Sequence, residues 1–331
     1  MTNRRDVLKG LGAGALAAGV SSPALAQARD KVTVSWLPIM QTFAYYVALE
    51  EKLFERAGIE IESVRFQAPN QIIDSLVANR ADCGAPGAAA GIAVLAESQF
   101  PGTFKVFGLQ GGGIAVGRIN DGLIVANNST IRSFADLRGK SLGHLPGIQW
   151  RTISRHMVRK AGLDPDRDVR LVELAVGLQV QAVIAGTIDA TLSLEPVGSI
   201  ATALGEAKRA VTNPVASVIA DPFYSGVSLL TTKFIKDRPA VARKVVQVLD
   251  DATRMAESDY AKHRAILPKF TAVQANQVEI VAQPYLRAWR DLNDVDFRSY
   301  QALVDVFSTE GALRTPMNVR DLVLKSTDLG A

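Results

Sequence analysis

Two short stretches of the chain carry residue types that hold small polar ligands. A leucine-proline turn followed three residues later by glutamine occurs twice, ending at Gln41 and at Gln149, each time directly after an apolar, strand-like run. A glutamine amide both donates and accepts hydrogen bonds. The first backbone amides of a helix that follows such a turn bind anions, because they have no partner within the helix. The chemistry that this pair predicts is reversible, non-covalent ligand binding.

The side chains that we expect near the ligand lie in the loops that follow predicted strands and at the helix starts after them. Two of these helix starts, at Phe43 and at Gln149, also offer backbone amides to an anion. The expected ligand-binding residues are Trp36, Pro38, Gln41, Phe43, Asn70, Pro86, Gln110, Gly147, Gln149, Trp150, Arg151 and Glu195.

Four of these residues have a second interpretation. Trp36 and Trp150 offer flat apolar walls to a ligand, but an aromatic side chain is equally at home in a core. Arg151 can pair bidentately with a carboxylate or sulfonate, yet it shares a helix face with two further arginines, which is typical of a solvated basic face. Glu195 can accept a hydrogen bond from an amine of the ligand, or it can cap a helix.

Residues for covalent or acid–base chemistry are few. The chain has three histidines and a single cysteine, Cys83. The histidines lack metal-ligand spacing, and a cysteine among small residues is typical of a buried, inert thiol. We therefore expect no catalytic residues, no metal and no cofactor. The alternative hypothesis is an exported enzyme that uses His144 or Cys83.

The elements that must position these residues follow a repeated order. Residues 32–85 alternate strand, helix, strand, helix, strand, and residues 141–192 repeat the order with different segment lengths. Such alternation is typical of a parallel sheet flanked by helices. Ligands of such sheets bind at the carboxyl ends of the strands, where both leucine-proline turns lie.

A chain of 331 residues is long enough for two lobes. We predict a two-lobed α/β fold, each lobe a mainly parallel sheet flanked by helices. The first lobe is expected from residues 31–118 plus 228–331 and the second from 119–227. The crossings near Ile119–Gly122 and Phe223–Val227 would form a two-strand hinge. The helix-rich tail after Pro239 is expected to return to the first sheet and cover it.

The N-terminal residues 1–26 read as an export signal with a cleavage site near Ala26. The adjacent Arg4 and Arg5 favour the twin-arginine type, with an ordinary secretory signal as the alternative. This segment predicts a periplasmic protein. The net charge of +4 falls to about +2 without it, and no later basic run is interleaved with aromatic residues. We therefore expect no nucleic-acid partner. We also expect a monomer.

Several stretches in a fixed order resemble the substrate-binding proteins of ABC importers for nitrate, sulfonates, taurine and thiamine-pyrimidine precursors. They are Ala48-x-x-Glu51-Lys52-Leu53-Phe54-Glu55-Arg56-Ala57-Gly58-Ile59, Ala78-Asn79-Arg80-Ala81-Asp82, Asp136-Leu137-Arg138-Gly139-Lys140, Ala185-Gly186-Thr187-Ile188-Asp189-Ala190 and Glu195-Pro196. The resemblance runs from about residue 32 to the C-terminus. It implies two lobes that close on a small ligand and are presented to a membrane permease.

Sulfonate binders of that family often place small hydroxyl residues where this chain has Pro146 to Gln149. This departure favours a larger, partly apolar organic acid or sulfonate. The alternatives are an aminopyrimidine or another vitamin precursor as the ligand, and a sensory subunit instead of a transport component. A related branch makes the thiamine pyrimidine with a cysteine-rich motif, which a chain with one cysteine lacks.

Overall fold

The computed structural model describes residues 29–330, so the predicted export signal at residues 1–26 lies outside the described part. Apolar residues at alternating positions form most of the strands, as in Asp30–Trp36, where Val32 and Val34 are fully buried. The strands of the described part are β1 Asp30–Trp36, β2 Ile59–Arg65, β3 Cys83–Ala89, β4 Phe104–Gly112, β5 Asp121–Ala126, β6 Lys140–His144, β7 Val169–Glu173, β8 Ala190–Leu194, β9 Ala207–Thr212, β10 Phe223–Thr231 and β11 Tyr285–Ala288.

Helices connect most of these strands and form the C-terminal tail. No helix in residues 29–330 combines the length and the apolar character that a membrane span requires. The helices are α1 Phe43–Glu50, α2 Leu53–Arg56, α3 Pro69–Val77, α4 Ala90–Gln99, α5 Ile148–Lys160, α6 Gln179–Ile184, α7 Val197–Ala203, α8 Pro214–Val218, α9 Thr232–Asp237, α10 Pro239–Ser258, α11 Tyr260–His263, α12 Leu267–Phe270, α13 Asp294–Thr309 and α14 Val319–Leu322.

The strands form two separate sheets. The larger has the order β11-β4-β10-β3-β1-β2, and the smaller has the order β7-β6-β8-β5-β9. In the larger sheet β1, β2, β3 and β4 run in one direction, whereas β10 and β11 run against them. In the smaller sheet only β5 opposes its neighbours. The predicted α/β class with two mainly parallel sheets is therefore confirmed.

The chain passes between the sheets twice, between β4 and β5 and again between β9 and β10. We call the larger sheet with its helices the first lobe, and the smaller sheet with its helices the second lobe. Strands β5 and β10 lie directly after these crossings, and each runs antiparallel to its neighbours in its own sheet. The boundaries at 118/119 and 227/228 stay predictions.

The C-terminal tail covers the first lobe's sheet, as expected. Helix α10 contacts α1 and β11, and α13 contacts β10 and α4. Val241 and Val245 of α10 belong to the same buried cluster as Val32 and Val34 of β1. Residues 43–57 form two helices, because Lys52 adopts a left-handed conformation with φ 52° and separates α1 from α2.

Candidate functional site

Each leucine-proline turn faces residues of the opposite lobe where the lobes meet. In the turn after β1, the Met40 amide donates to the Glu195 carbonyl after β8 at 3.3 Å. In the turn after β6, a Cβ added to Gly147 would lie 3.8 Å from Asn70 Oδ1 and from Ile92 Cδ1 of the first lobe. The carboxyl ends of strands from both sheets therefore border one junction, as the strand order predicts.

Gln149, in the first turn of α5, bridges the lobes. Its Oε1 accepts from the Gly91 amide at 2.7 Å, and its Nε2 donates to the Ser225 carbonyl at 2.9 Å. Gly91 is the second residue of α4, where a backbone amide has no partner within the helix. The side chain from the second lobe thus completes the start of a helix in the first lobe.

Gln41, the matching glutamine of the first lobe, also contacts Ser225, which lies on β10. Its Nε2 donates to Asn120 Oδ1 and to Ser225 Oγ, both at 2.7 Å. Both glutamines are buried, with 4 % and 2 % of Gln41 and Gln149 exposed. Ser225 therefore receives a hydrogen bond from each lobe, one on its hydroxyl and one on its carbonyl.

The other predicted residues of the first lobe lie around this network. Gln110 is buried, accepts from the Gly87 amide at 2.9 Å and donates to Ser228 Oγ at 3.0 Å, which ties β4 to β3 and β10. Pro38 is half-buried in the turn after β1, and Pro86 is buried within β3. Together with Asn70, these residues belong to the first lobe's side of the junction.

The predicted aromatic residues lie in cores. The Trp36 indole Nε1 donates to Ser63 Oγ at 2.8 Å, within a cluster of aromatic rings. Phe43 is fully buried with its ring 5.3 Å from that of Tyr260. Trp150 is 1 % exposed and belongs to a large apolar cluster. The structure therefore places all three rings in packing positions, which for the two tryptophans is their second interpretation.

Arg151 is exposed and points away from the glutamine network. It lines an open groove of about 350 Å³ between α5 and β7, together with His144 and Glu173. Arg155, one turn further along α5, lines the same groove and forms a bidentate pair with Asp166 at 2.5 and 2.7 Å. Two of the three arginines on this face of α5 thus border an open groove, whereas Arg159 pairs with Glu310.

Glu195 holds the second lobe together. Its carboxylate is 2 % exposed, pairs with the Arg209 guanidinium and accepts from the Ser199 amide of α7 at 3.2 Å. Burial raises the pKa of Glu195, while Arg209 and the hydrogen bonds from Ser199 oppose this rise. The side chain serves as the helix cap of the second interpretation, and its backbone carbonyl accepts from the first lobe.

Sequence reasoning missed Ser225, Asn120 and Gly91. The first two lie in the stretches expected as lobe crossings, where polar residues interrupt apolar strands. That interruption is the signal that could have marked them. Gly91 carries no side-chain signal, but a Cβ there would lie 2.3 Å from Phe307 Cζ, so the position requires glycine.

Apolar side chains surround the amide network. One cluster contains Leu37, Ile39 and Ile92 of the first lobe together with Leu145 and Leu194 of the second. A polar contact between the lobes lies further along α5, where the Arg159 guanidinium and the His156 ring meet Glu310. Apolar side chains of both lobes and the amide hydrogen bonds of the two glutamines therefore meet at this junction.

Cys83 gives a first testable prediction. The thiol is fully buried in β3, and this burial raises its pKa, so little reactive thiolate forms near neutral pH. We expect Ellman's reagent to leave the native protein unmodified over hours and to release one equivalent after denaturation. Rapid modification of the native protein would contradict the buried position and would support the enzyme hypothesis based on Cys83.

A profile described as NMT1/THI5-like matches residues 40–259 of the chain. The chain belongs to this family. Among curated proteins, a candidate binding protein of Brucella abortus is 22 % identical over 287 residues, which is 84 % of this chain and 85 % of that protein. A Bacillus subtilis protein described as a candidate aliphatic-sulfonates-binding protein is 26 % identical over 202 residues, 61 % of this chain and 57 % of its own.

Solved structures of the same architecture confirm the two-lobed fold. The alkanesulfonate-binding protein of Xanthomonas axonopodis pv. citri, bound to MOPS, superposes with a TM-score of 0.71 at 20 % identity, over 89 % of this chain and 98 % of its own. The nitrate-binding protein of Synechocystis PCC 6803 gives 0.72 at 13 % identity, over 91 % and 87 %. At such identities the likeness concerns the fold alone.

An enzyme also shares the fold. The desulfurization enzyme DszB superposes with a TM-score of 0.68 at 17 % identity, over 91 % of this chain and 98 % of the enzyme. The fold alone therefore supports both binding and catalysis, and the side chains at the junction must decide between them.

Proposed function

We propose that this protein is the extracytoplasmic solute-binding component of an ABC-type importer, which closes two lobes on a small organic ligand. The observation that carries the proposal is the meeting of Gln41 and Gln149, one from each lobe, at Ser225 of a hinge strand. Such an arrangement links the approach of the lobes to the strands that connect them. The names of the curated relatives support a binding role as well.

A partly apolar organic acid or sulfonate is the favoured ligand. Leucine and isoleucine side chains of both lobes supply the apolar surface. The Arg209 guanidinium is already paired with Glu195. We therefore assign the anionic group of the ligand to backbone amides and not to an arginine. The first amides of α5 suit it, because the N-cap residue Gly147 provides no side-chain cap. The alternative ligand is an aminopyrimidine or another vitamin precursor, for which the glutamine carbonyls would accept hydrogen bonds.

Thermal unfolding in the presence of a ligand panel tests this proposal. The panel contains alkanesulfonates, aromatic carboxylates and aminopyrimidines, each at a concentration far above micromolar affinity. A compound at one hundred times its Kd stabilises the folded protein by about 2.7 kcal/mol, which is a clear rise in Tm. We expect such a rise with one compound class, and no rise with any member would count against a binding role.

The partner and the location follow from the same proposal. A binding component of this kind would deliver its ligand to permease subunits in the membrane, from the periplasm, as a monomer after removal of residues 1–26. N-terminal sequencing of the exported protein would test cleavage near Ala26. Adjacent permease and ATPase genes would favour transport over a sensory subunit.

A non-enzymatic role is part of the proposal, with an exported enzyme as the second candidate because DszB shares the fold. The ring of His144 is buried, its Nδ1 lies 2.7 Å from the Leu145 carbonyl, and burial lowers its pKa. Turnover of a panel compound that disappears in His144→Ala or Cys83→Ala would favour the enzyme.

A further inference from the structure

A chain of buried polar side chains runs through the hinge. Asp121 is the first residue of β5, directly after the crossing into the second lobe, and it is fully buried. Its Oδ2 accepts from Asn120 Nδ2 at 2.8 Å, and its Oδ1 accepts from the Val215 amide at the start of α8 at 3.2 Å. Within residues 29–330 no cationic side chain forms an ion pair with it. A buried carboxylate held only by neutral donors calls for an explanation.

The carboxylate fixes the orientation of two amides. Because an ionised carboxylate only accepts hydrogen bonds, Asn120 turns its amide nitrogen to Asp121 and its Oδ1 to the first lobe. Gln41 must then present Nε2 to Asn120, at 2.7 Å, and the same nitrogen donates to Ser225 Oγ. The chain thus joins the turn after β1 to both crossing segments, and every bond in it runs in a direction set by Asp121.

We propose that Asp121 is a positioning residue for lobe closure: its protonation reverses the hydrogen bonds through Asn120 to Gln41 and favours the closed arrangement. The proposal rests on the two-lobe closure of the proposed function and adds a control of that closure by protons. It assigns no ligand contact to Asp121.

The reversal follows from donor and acceptor counts. Because the Val215 amide needs Oδ1 as an acceptor, the proton is placed on Oδ2, which then donates; Asn120 then offers its Oδ1 and turns its amide nitrogen toward Gln41. Two amide nitrogens cannot face each other at 2.7 Å, so the Gln41 amide must turn as well and accept through Oε1. The Ser225 hydroxyl both donates and accepts, and so it can follow. A Cβ on Gly226 would lie 2.5 Å from Gln41 Oε1, so glycine there leaves the room in which the amide turns.

The groups around Asp121 decide the direction of the effect. Burial raises the pKa of Asp121 to about 6, against hydrogen bonds from Asn120 and Val215 that lower it. The charged groups that act on it are Glu195, after β8, which raises the pKa, and Arg209 of β9, which lowers it. The carboxylate meets a backbone amide of α8 and the amide side chain of Asn120, while the Asp121 backbone amide donates to Asn213 Oδ1 at 3.5 Å.

Opening of the lobes would hydrate this site. Gln41 covers Asn120 from the first lobe, and Met40 reaches the Glu195 carbonyl beside it. Parting of these contacts uncovers Asn120, and we expect the water that enters beside it to lower the pKa of Asp121 toward the ordinary value of 3.8. The state in which a group binds its proton more tightly is favoured as the pH falls, so acid favours closure. A fall of the Asp121 pKa from about 6 to 3.8 on opening allows the equilibrium between the open and closed arrangements to change with pH by up to ~100-fold.

Small-angle scattering of the ligand-free mature protein tests the proposal. We expect the radius of gyration of the wild type to decrease from pH 8 to pH 5 as the closed fraction rises. Asp121→Asn reproduces the protonated carboxyl, since its amide can donate to Asn120 and accept from Val215. At both pH values this variant should have the smaller radius of gyration that the wild type reaches at pH 5. Carboxyl ¹³C NMR of the wild type, which needs no variant, should show Asp121 titrating near pH 6.

Asp250→Asn is the matched control, because it removes a second buried carboxylate whose pKa is raised by burial, in α10 and far along the chain from the hinge. It should keep the wild-type dependence of the radius on pH. A constant wild-type radius, a pH dependence that survives in Asp121→Asn, or titration of Asp121 near pH 4 would each overturn the proposal. None of these readouts uses a ligand, so a failure here is distinct from the absence of binding in the ligand panel.

Discussion

Replacing Gln149 with leucine is expected to weaken ligand binding by at least ~30-fold, while the mature protein stays folded. The substitution keeps the volume of the side chain but removes the bonds to the Gly91 amide and the Ser225 carbonyl. Each buried group left without a partner costs about 1–3 kcal/mol in the closed state. A total of ~2 kcal/mol or more corresponds to the expected fold-change.

The physical reason for a loss of affinity is that these bonds exist only when the lobes meet. In an open molecule water can pair with both backbone groups, so the penalty applies to closure and not to folding of either lobe. The measurement is isothermal titration with whichever panel compound stabilises the wild type. The midpoint of urea unfolding without ligand reports stability separately.

Arg151→Ala is the control for the Gln149 variant. Arg151 lies two residues further along α5 and is exposed, so its loss should change stability by no more than about 0.5 kcal/mol and leave affinity unchanged within a factor of about two. If Arg151→Ala abolished binding while Gln149→Leu bound normally, the anion would be held by the arginine, and the glutamine network would have no role in closure.

Local periodicity explains why the fold could be predicted from the sequence. β-branched residues indicate the strand over residues 169–173, and the proline at the helix start together with apolar spacing indicates the long helix that begins at Pro239. The repeated order of elements then specifies two similar sheets. The strand Ala207–Thr212 was missed, because its basic residues interrupt the apolar alternation and most of its residues are only half-buried.

The candidate site was predictable only in part, because its contacts join distant segments. The positions of Gln41 and Gln149 after strands placed them at the junction. Their partners could not be read from spacing, since Ser225 lies 184 and 76 residues away from them. From the sequence, Trp150 was compatible with two roles, as an apolar wall of the ligand site or as a core residue. Only packing of α5 against α4 and α13 places that ring in a core.

The role of Glu195, as a ligand contact or as a helix cap, also depends on a contact between distant segments. A glutamate before proline at a strand end is compatible with either role, and its partner Arg209 lies on β9, a strand that the sequence did not predict. Where an unpredicted element supplies the counter-ion, the charge state and role of a side chain stay open until the tertiary structure is known.

Arg209→Met should therefore destabilise the protein strongly, by about 3–5 kcal/mol at pH 7. The variant leaves the Glu195 carboxylate buried without its cation, and an uncompensated buried charge carries a penalty of this size. Glu195→Gln is the matched variant. Its amide carbonyl can still accept from Arg209, whose side chain is 11 % exposed against 2 % for Glu195, so we expect a smaller loss than in Arg209→Met.

The pH dependence of Arg209→Met separates an electrostatic penalty from lost packing. Burial already raises the pKa of Glu195 in the wild type, and removal of the guanidinium should raise it further. A raised carboxyl pKa means that the folded state binds the proton more tightly than the unfolded state, so stability rises as the pH falls. The deficit measured by urea unfolding should hence be largest at pH 8 and shrink toward pH 5. An equal deficit at both values would mean that the lost side-chain contacts, and not the buried charge, account for it.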